Sequence, residues 1–571
     1  MISRTPRFRP LVAAVLALGA VLLAAGPASA HAQLTTTEPV GGTTLAASPP
    51  RVVLRFGEAV EIPLGSIRVF ASPSGKQVET GAAGHADGQG AAVAVKLPKL
   101  DKGTYIVTWR VSSADSHPIH GAFTFIVGSA KGGTEDAALV QKLLSSGGGS
   151  ATVGAVYAVI RFAAFAALVL LVGGLAFVGL IWPAGAALAR TRRLLWAAWG
   201  AAFVTTAVGI PVQGVYAAGL PLSKVVSSTV LSGLFDERFG RVWGARLVLL
   251  GLMAVVLGAM RRSPGSSLPA PVLVGGGVLS VGLLLTPGMA GHASTQDLVP
   301  LAVLSDVVHL LGVSVWLGGL AMLAAVVLPR RLPDELSAVV PRFSRIAFGA
   351  VIVILATGTF QGWREVRSTA ALTDTTYGRL LIVKVVLFGL LVALGALSRR
   401  FVQARYRVPA ARLSFGPGAA TADPDAEAVA QLRRTVGAET VIAVVVLAVT
   451  ALLVNAQPAR SALAQPFSAE MRSDTVWVDV TVDPAKAGPA ALHFYTLSPK
   501  GGVQDVQDMT ATLTLPSQDV GPLTIPVTRA GPSHFSAYNF NIPLRGQWKL
   551  EVKALLSDID ETTVSTTIPV K

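Results

Sequence analysis

The sequence predicts a chain of three folded parts: an N-terminal all-β sandwich, a bundle of eight membrane-crossing helices and a second β-sandwich at the C-terminus. Three observations carry this. Hydrophobic residues make up 52% of the 571 positions and charged residues only 14%, far from the roughly 25% charged residues of a soluble domain. The apolar residues collect in eight long segments between residues 155 and 457. The regions before and after them alternate apolar and polar residues at the period of two that marks half-buried strands.

The first thirty residues read as a secretory signal. Arg4, Arg7 and Arg9 form a basic start, Leu11 to Ala25 an apolar run, and "GPASA" places Ala28 and Ala30 at the small-residue positions of a cleavage site. The run is short for a membrane span, which needs roughly 20 residues. Cleavage after Ala30 leaves His31 as the mature N-terminus.

Residues 31–128 follow as a sandwich. "RVVLRF" (Arg51–Phe56) and "TYIVTWRV" (Thr104–Val111) alternate, with Tyr105, Val107, Trp109 and Val111 on one face, and "GAFTFIV" repeats the pattern with Phe123 and Phe125. Pro49–Pro50, Ser72–Gly75 and Lys102–Gly103 punctuate the strands. Between the last two strands lies "SADSHPIHG" (Ser113–Gly121), with an aspartate and two histidines in a chain that holds only eight histidines and no cysteine. The missing cysteine excludes disulfides, thiolate metal sites and cysteine nucleophiles. Asp115 and His117 are two apart and project to one side of an extended backbone. Taken alone, such a triplet is also what a hydrogen-bonded polar turn contains. A terminal His31 adds an α-amino nitrogen and an imidazole Nδ1 that close a chelate ring. Together with Asp115 and His117 they form a nitrogen-rich, partly anionic set suited to tetragonal Cu(II). His120 reads as a surface histidine, and His85, in the Gly-rich "GAAGHADGQG", as solvated.

A polar linker, residues 129–154, leads to the eight apolar segments, near 155–182, 195–219, 242–260, 270–291, 303–328, 343–363, 379–402 and 436–457. Each approaches the length a bilayer requires. With the N-terminal part exported, the loops predicted to face the cytoplasm hold Arg190, Arg192 and Arg193; Arg261 and Arg262; Arg330, Arg331, Arg342 and Arg345; and a cluster from Arg399 to Arg434. The positive-inside rule then places both soluble parts outside a multi-pass protein of the cytoplasmic (inner) membrane. It also accounts for the net charge of +15 with the lipid bilayer as partner and no nucleic acid. Ionisable residues inside spans are costly and therefore candidates for function. They are His292 after "TPGMAG" (with Met289 three residues before it), and Asp306 and His309, three apart on one helical face, His309 roughly two turns deep. Snorkelling to the interface accounts for Arg161, Arg246 and Lys384. From residue 467 to 571, "TVWVDVTV", "ALHFYTL", "TATLTL" and "GQWKLEVKA" alternate again and predict an extracytoplasmic sandwich of about seven strands. His493, His534, Met471 and Met509 lie scattered in it; they are the residue types of a second copper-handling site, but without close spacing they read first as structural.

Two resemblances follow from these residues. "HAQLTTTEP", "LRFGEAV" and "YIVTWRVSSADSHPIHGAFTFIVG" resemble the CopC copper-binding family over residues 31–128. The resemblance implies an Ig-like or cupredoxin-like sandwich and a Cu(II) site on His31, Asp115 and His117. The methionine-rich Cu(I) segment of some members is missing. "GHAS", "LSDVVHLLGVSVWLGGL" and "YGRLLIVKVVLFG" are similar to CopD, the membrane partner of CopC, over about residues 155–457, and make His292, Asp306 and His309 the candidate copper ligands of the membrane part. A fusion of the two implies a protein that captures Cu(II) outside and passes copper to a membrane domain for uptake. It implies copper ions as cargo, a copper chaperone or other copper-handling protein as partner, and no enzymatic activity. The alternative is sequestration outside the cell without transport. A copper monooxygenase and a haem-binding bundle are further readings, each with a spectroscopic or activity test. No Walker A sequence and no D-K-T-G-T motif is present.

Overall fold

The computed structural model describes residues 34–128 apart from 42, 58, 64–65 and 114–117; 151–406 apart from 236, 263–267, 295–297 and 367–368; 424–459 apart from 457–458; and 467–571 apart from 500–503 and 532.

The N-terminal part is a sandwich. One sheet holds β1 (Leu34–Glu38), β3 (Arg51–Phe56), β8 (Ala92–Lys96) and β7 (Thr80–His85), in the order β1-β3-β8-β7. The other runs β2 (Thr44–Leu45), β10 (Pro118–Val127), β9 (Gly103–Ser113), β5 (Ile67–Ser72), β6 (Lys76–Gln77), with β4 (Val60–Glu61) also paired to β9. The alternation predicted for β9 packs as expected: Tyr105, Val107 and Val111 meet Val52, Leu54, Val93 and Phe125 in the core, where each fully buried aliphatic or aromatic side chain contributes about 1.5–3 kcal/mol. The register fixes which ends meet. Leu34 pairs with Phe56, and four residues later Val60 pairs with Ser113. The chain therefore enters β1 at the same end of the sandwich at which it leaves β9.

Among the described residues, eight helices are long and apolar enough to cross a membrane: α1 (Ala151–Ile181), α2 (Ala189–Ala218), α3 (Arg238–Arg261), α4 (Ala270–Met289), α5 (Val299–Arg330), α6 (Pro333–Val366), α7 (Thr376–Arg400) and α8 (Leu432–Asn455). Most begin about a turn before the apolar segments read from the sequence. In α5 the reason is visible: Pro300 occupies the first turn, where a missing N–H costs nothing, and Leu298 before it is in the left-handed region (φ 58°).

Small residues bring α1 and α5 together, as they do between helices that lipid cannot press together hydrophobically. A Cβ on Gly173 would lie 2.0 Å from the Ser314 carbonyl oxygen, and one on Gly318 would lie 2.3 Å from the Val169 carbonyl oxygen. At this crossing α5 widens into a π-helical turn over Ser314–Gly318. The arginines depart from the snorkelling expectation. Arg246 is 2% exposed, donates from Nε to Thr286 Oγ1 (2.6 Å) and lies over the Trp243 ring. Arg161 donates to the Val454 carbonyl oxygen (3.0 Å) and to Tyr157 Oη (2.9 Å). Internal acceptors and aromatic faces satisfy these cations, so they turn inward.

The C-terminal part is a sandwich of nine strands among the described residues, against the seven or so expected. One sheet holds β11 (Phe467–Arg472), β12 (Trp477–Asp483), β13 (Gly488–Leu497), β17 (His534–Ile542) and β16 (Thr528–Gly531); the other holds β15 (Val520–Ile525), β14 (Asp508–Leu515), β18 (Gly546–Leu555) and β19 (Glu561–Val570). Val478, Val480, Phe494, Leu513 and Trp548 fill its core.

Gly318→Val tests the crossing. The branched side chain has no space against backbone, and overpacking of this kind costs typically 1–3 kcal/mol and occasionally more. We expect a markedly lower unfolding temperature in detergent and poor recovery of folded protein. Gly251→Ala, where an added Cβ meets nothing within 4 Å, should unfold like the unsubstituted chain.

Candidate metal centre

The expected Cu(II) ligands His31, Asp115 and His117 lie outside the described residues. Their framework is described. β9 ends at Ser113 and β10 begins at Pro118, with Pro118 paired to Ser112, so the D-x-H sequence joins two long adjacent strands. β1 begins three residues after His31, at the same end of the sandwich. His120 is exposed and pairs across the hairpin with Arg110. Partial desolvation and, second, the Arg110 charge lower the His120 pKa. His85 is exposed at the end of β7.

That end of the sandwich rests on the helices. Arg110, the one charged residue of β9, is buried and donates from Nε to the Ala217 carbonyl oxygen (2.6 Å) and from Nη2 to the Tyr216 carbonyl oxygen (3.0 Å). Those carbonyls end α2 at Gly219, a left-handed glycine cap (φ 67°), where the helix leaves acceptors unsatisfied and carries partial negative charge. Glu61 does the reverse. Its Oε1 accepts from the backbone N–H of Arg238 (2.5 Å), the first residue of α3, where the helix carries partial positive charge. Glu61 Oε2 and the Oγ of Ser112, the residue paired with Glu61, are buried and have no hydrogen-bond partner among the described residues. A cavity of about 400 Å³ continues this seam, lined by Pro63, Arg68 and Glu79 from the sandwich and Gln213, Leu234 and Glu237 from the helices. Sequence reading missed Arg110 and Glu61. Arg110 occupies the polar phase of an alternating strand, which is where a solvated residue would also stand. A lone cation in an otherwise uncharged eleven-residue strand was the available signal.

In the bundle, Asp306 and His309 lie on α5 as predicted, and His309 is 9% exposed. It stands ten residues after Val299, about 15 Å along the helix. Its Nδ1 hydrogen-bonds Thr357 Oγ1 (2.9 Å), and Asp306 Oδ1 accepts from Gln361 Nε2 (3.4 Å). Thr357 and Gln361, four apart on one face of α6, were not singled out from the sequence; a polar pair at that spacing in an apolar span was the signal. Lys384 of α7 lies within electrostatic reach of both Asp306 and His309. A Cβ on Gly288 would come 2.8 Å from Asp306 Oδ2, so glycine lets the end of α4 close on the carboxylate. His292 lies in the short 3₁₀ turn His292–Ser294 that follows. Met289 packs against Val299 and Val303 in an apolar setting. No three His, Cys, Asp or Glu side chains gather closely enough to hold a metal ion among the described residues.

Comparison with known proteins supplies what the geometry cannot. The CopC domain family matches residues 34–128. "Copper resistance protein D-like, N-terminal domain" matches 151–300, and "Copper resistance protein D" matches 337–453. The copper transport protein CutJ of Bacillus subtilis is 27% identical over 551 residues, covering 94% of this chain and 95% of that protein. Copper resistance protein C of Xanthomonas campestris pv. juglandis is 33% identical over 123 residues, covering 20% of this chain and 94% of that protein. A crystal structure of CopC from Methylosinus trichosporium OB3b is 35% identical, covers 17% of this chain and 93% of its own, and superposes with a TM-score of 0.16.

The contact between sandwich and helices is testable by hydrogen exchange. Arg110→Met should raise amide exchange in the last turn of α2 and the first turn of α3 by roughly tenfold or more, since hydrogen bonds from charged groups contribute about 1.5–3 kcal/mol each. Glu61→Gln keeps an acceptor and should leave protection near that of the unsubstituted protein. Burial, the largest influence, raises the Glu61 pKa above its ordinary 4.5; the Arg238 N–H and the Arg241 and Arg238 charges oppose it. The docked form therefore holds the Glu61 proton more tightly than the undocked form. Docking should strengthen as pH falls through the raised value toward 4.5 and weaken as pH rises through it. Protection that is flat across that window, or that moves the other way, would contradict the role given to Glu61.

Proposed function

The chain belongs to the family of copper resistance and transport proteins that join a CopC domain to a CopD membrane domain, and on that premise we propose that it captures Cu(II) outside the cytoplasmic membrane and passes copper to its membrane helices for uptake. The capturing groups are the α-amine and imidazole of a mature N-terminal His31, with Asp115 and His117. This donor set suits Cu(II): borderline nitrogen and hard oxygen donors in a tetragonal arrangement, at the metal that heads the affinity order for such ligands. The receiving groups are Asp306 and His309, with His292 at the outer mouth. Copper is cargo in this scheme, and the chemistry asked of the chain is binding and release, not catalysis.

One observation carries the reading. The end of the sandwich that holds the D-x-H turn and the start of β1 is the end clamped to the helices, through Arg110 on α2 and Glu61 on α3. Arg110 is three residues before Ser113, about 10 Å of extended strand. A domain meant only to hold copper away from the cell has no need to present its binding end to the membrane part. In this reading both sandwiches are extracytoplasmic: the candidate spans among the described residues are even in number, and the positive-inside rule assigns the arginine-rich loops to the cytoplasm.

Sequestration without transport is favoured by a different observation. Asp306 is within reach of the Lys384 cation, and no three His, Cys, Asp or Glu side chains gather closely enough to hold a metal ion among the described residues, a poor set for a divalent ion. Cellular copper separates the two. At matched membrane levels, His117→Ala should weaken Cu(II) binding by more than the roughly 10–100-fold that outer-shell changes cost, and should lower copper accumulation. His309→Ala should abolish accumulation while leaving the Cu(II) electron paramagnetic resonance signal of the sandwich unchanged. Accumulation equal to the unsubstituted protein with His309→Ala would remove the transport half and leave an anchored copper store. One extra residue before His31 should impair Cu(II) binding as severely as His117→Ala, because it displaces the α-amine from the chelate ring.

A further inference from the structure

The C-terminal sandwich brings together two of the four residues that the sequence leaves scattered in it. His493 on β13 and His534 on β17 are 41 residues apart, yet His493 Nδ1 and His534 Nε2 stand 3.1 Å from each other. The pairing of the two strands sets this up. His493 lies opposite Ser536 and Tyr495 opposite His534, so the two imidazoles and the phenol share one face, the face turned away from the core that Leu492 and Phe494 enter. The rings are 21° from parallel with centroids 5.3 Å apart. That separation exceeds the nitrogen distance by about what two ring radii add. The nitrogens therefore point at each other along the line joining the rings, in plane, and share one hydrogen bond in which one ring donates and the other accepts. Tyr495 lies flat on His534 at 4.4 Å and 9°, and His534 is only 7% exposed. Met471 and Met509 are buried in the core and take no part.

We propose that His493 and His534 form a second metal site, selective for monovalent copper, on the outer face of the C-terminal sheet, with Tyr495 shielding it from water. Two in-plane imidazole nitrogens facing one another become the donor set of a two-coordinate ion once the donating ring carries its proton on its other nitrogen, the metal taking the place of the shared proton. Zn(II) takes four ligands in a tetrahedron and Cu(II) a tetragonal set, and no third His, Cys, Asp or Glu joins these two closely enough among the described residues. A monovalent d¹⁰ ion that accepts a linear pair is what remains. With metal–nitrogen bonds of about 2 Å, the nitrogens must part from 3.1 Å to roughly 4 Å, which small side-chain rotations supply.

The test uses the full-length protein carrying His117→Ala and His309→Ala, so that the copper sites proposed above do not contribute and failure of either reading is seen separately. Cu(I) is titrated anaerobically against a chromophoric Cu(I) chelator. We expect one tight Cu(I) per chain, weakened at least tenfold by His493→Asn or by His534→Asn and absent when both are replaced. X-ray absorption of the bound copper should show two nitrogen neighbours and no sulfur. Undiminished Cu(I) binding in the folded double variant overturns the proposal, as does a sulfur neighbour, absence of bound Cu(I), or tighter binding of Zn(II) than of Cu(I). If replacing both histidines unfolds the domain, the absorption spectrum of the unreplaced pair decides by the same criteria.

Discussion

A helix that ends at a membrane surface leaves carbonyls at one end and N–H groups at the other without partners, and the N-terminal sandwich is held by supplying one of each kind. Arg110 brings donors to the carbonyls that close α2; Glu61 brings an acceptor to the N–H that opens α3. The Arg110 cation matches the partial negative charge at the end of α2, whereas Glu61 serves as an acceptor whether or not it is charged. Because α2 and α3 run in opposite directions, their adjoining ends offer acceptors on one and donors on the other, and a surface with a donor and an acceptor at the right spacing complements both. The contact thus sets orientation as well as attachment, and the position of the end where β1 begins and β9 leaves the sheet follows from it.

The bundle beneath depends on a different device. The W-x-G-G segment, fairly specific as a family fingerprint, divides between packing duties. Gly318 lets α5 touch the backbone of α1, and Gly319 leaves space for the Phe343 ring. Trp316 fills the core beside them and meets Phe388 edge-on. The D-x-x-H part of the same fingerprint faces α6 and α7 through Thr357, Gln361 and Lys384. One helix therefore serves two purposes along its length: polar contacts in its first half, and close backbone packing, with a π-helical turn, in its second.

Much of this was legible in the residue order. Alternation identified β9 and β10, because a strand half-buried in a sandwich must show its core face every second residue. Length and hydropathy identified all eight helices, because a bilayer sets a minimum for both. Helix starts were misjudged by about a turn: residues such as Val299 and Pro300 continue the helix into the region where apolar content falls, and hydropathy does not register that. What could not be read were relations between distant segments. Arg110 looks like any outward residue of a strand until the end of α2 stands over it. Arg246 looks like a snorkelling residue until Thr286 and Trp243 are seen to surround it. His493 and His534 become neighbours only once β13 and β17 pair. The D-x-H sequence was ambiguous from spacing alone, since a polar turn contains the same residues; a terminal His31 and the resemblance to CopC gave it a chemical reading, and His31, Asp115 and His117 lie outside the described residues.

β9 is a continuous eleven-residue strand, hydrogen-bonded on both sides along most of its length. It holds the clamped Arg110 and, three residues on, the edge of the turn. A strand so braced fixes the distance and direction between those two points. The seating of Arg110 on the end of α2 therefore sets where Ser113 and its strand partners stand over the bundle, so that the orientation of the whole sandwich is decided at one of its ends.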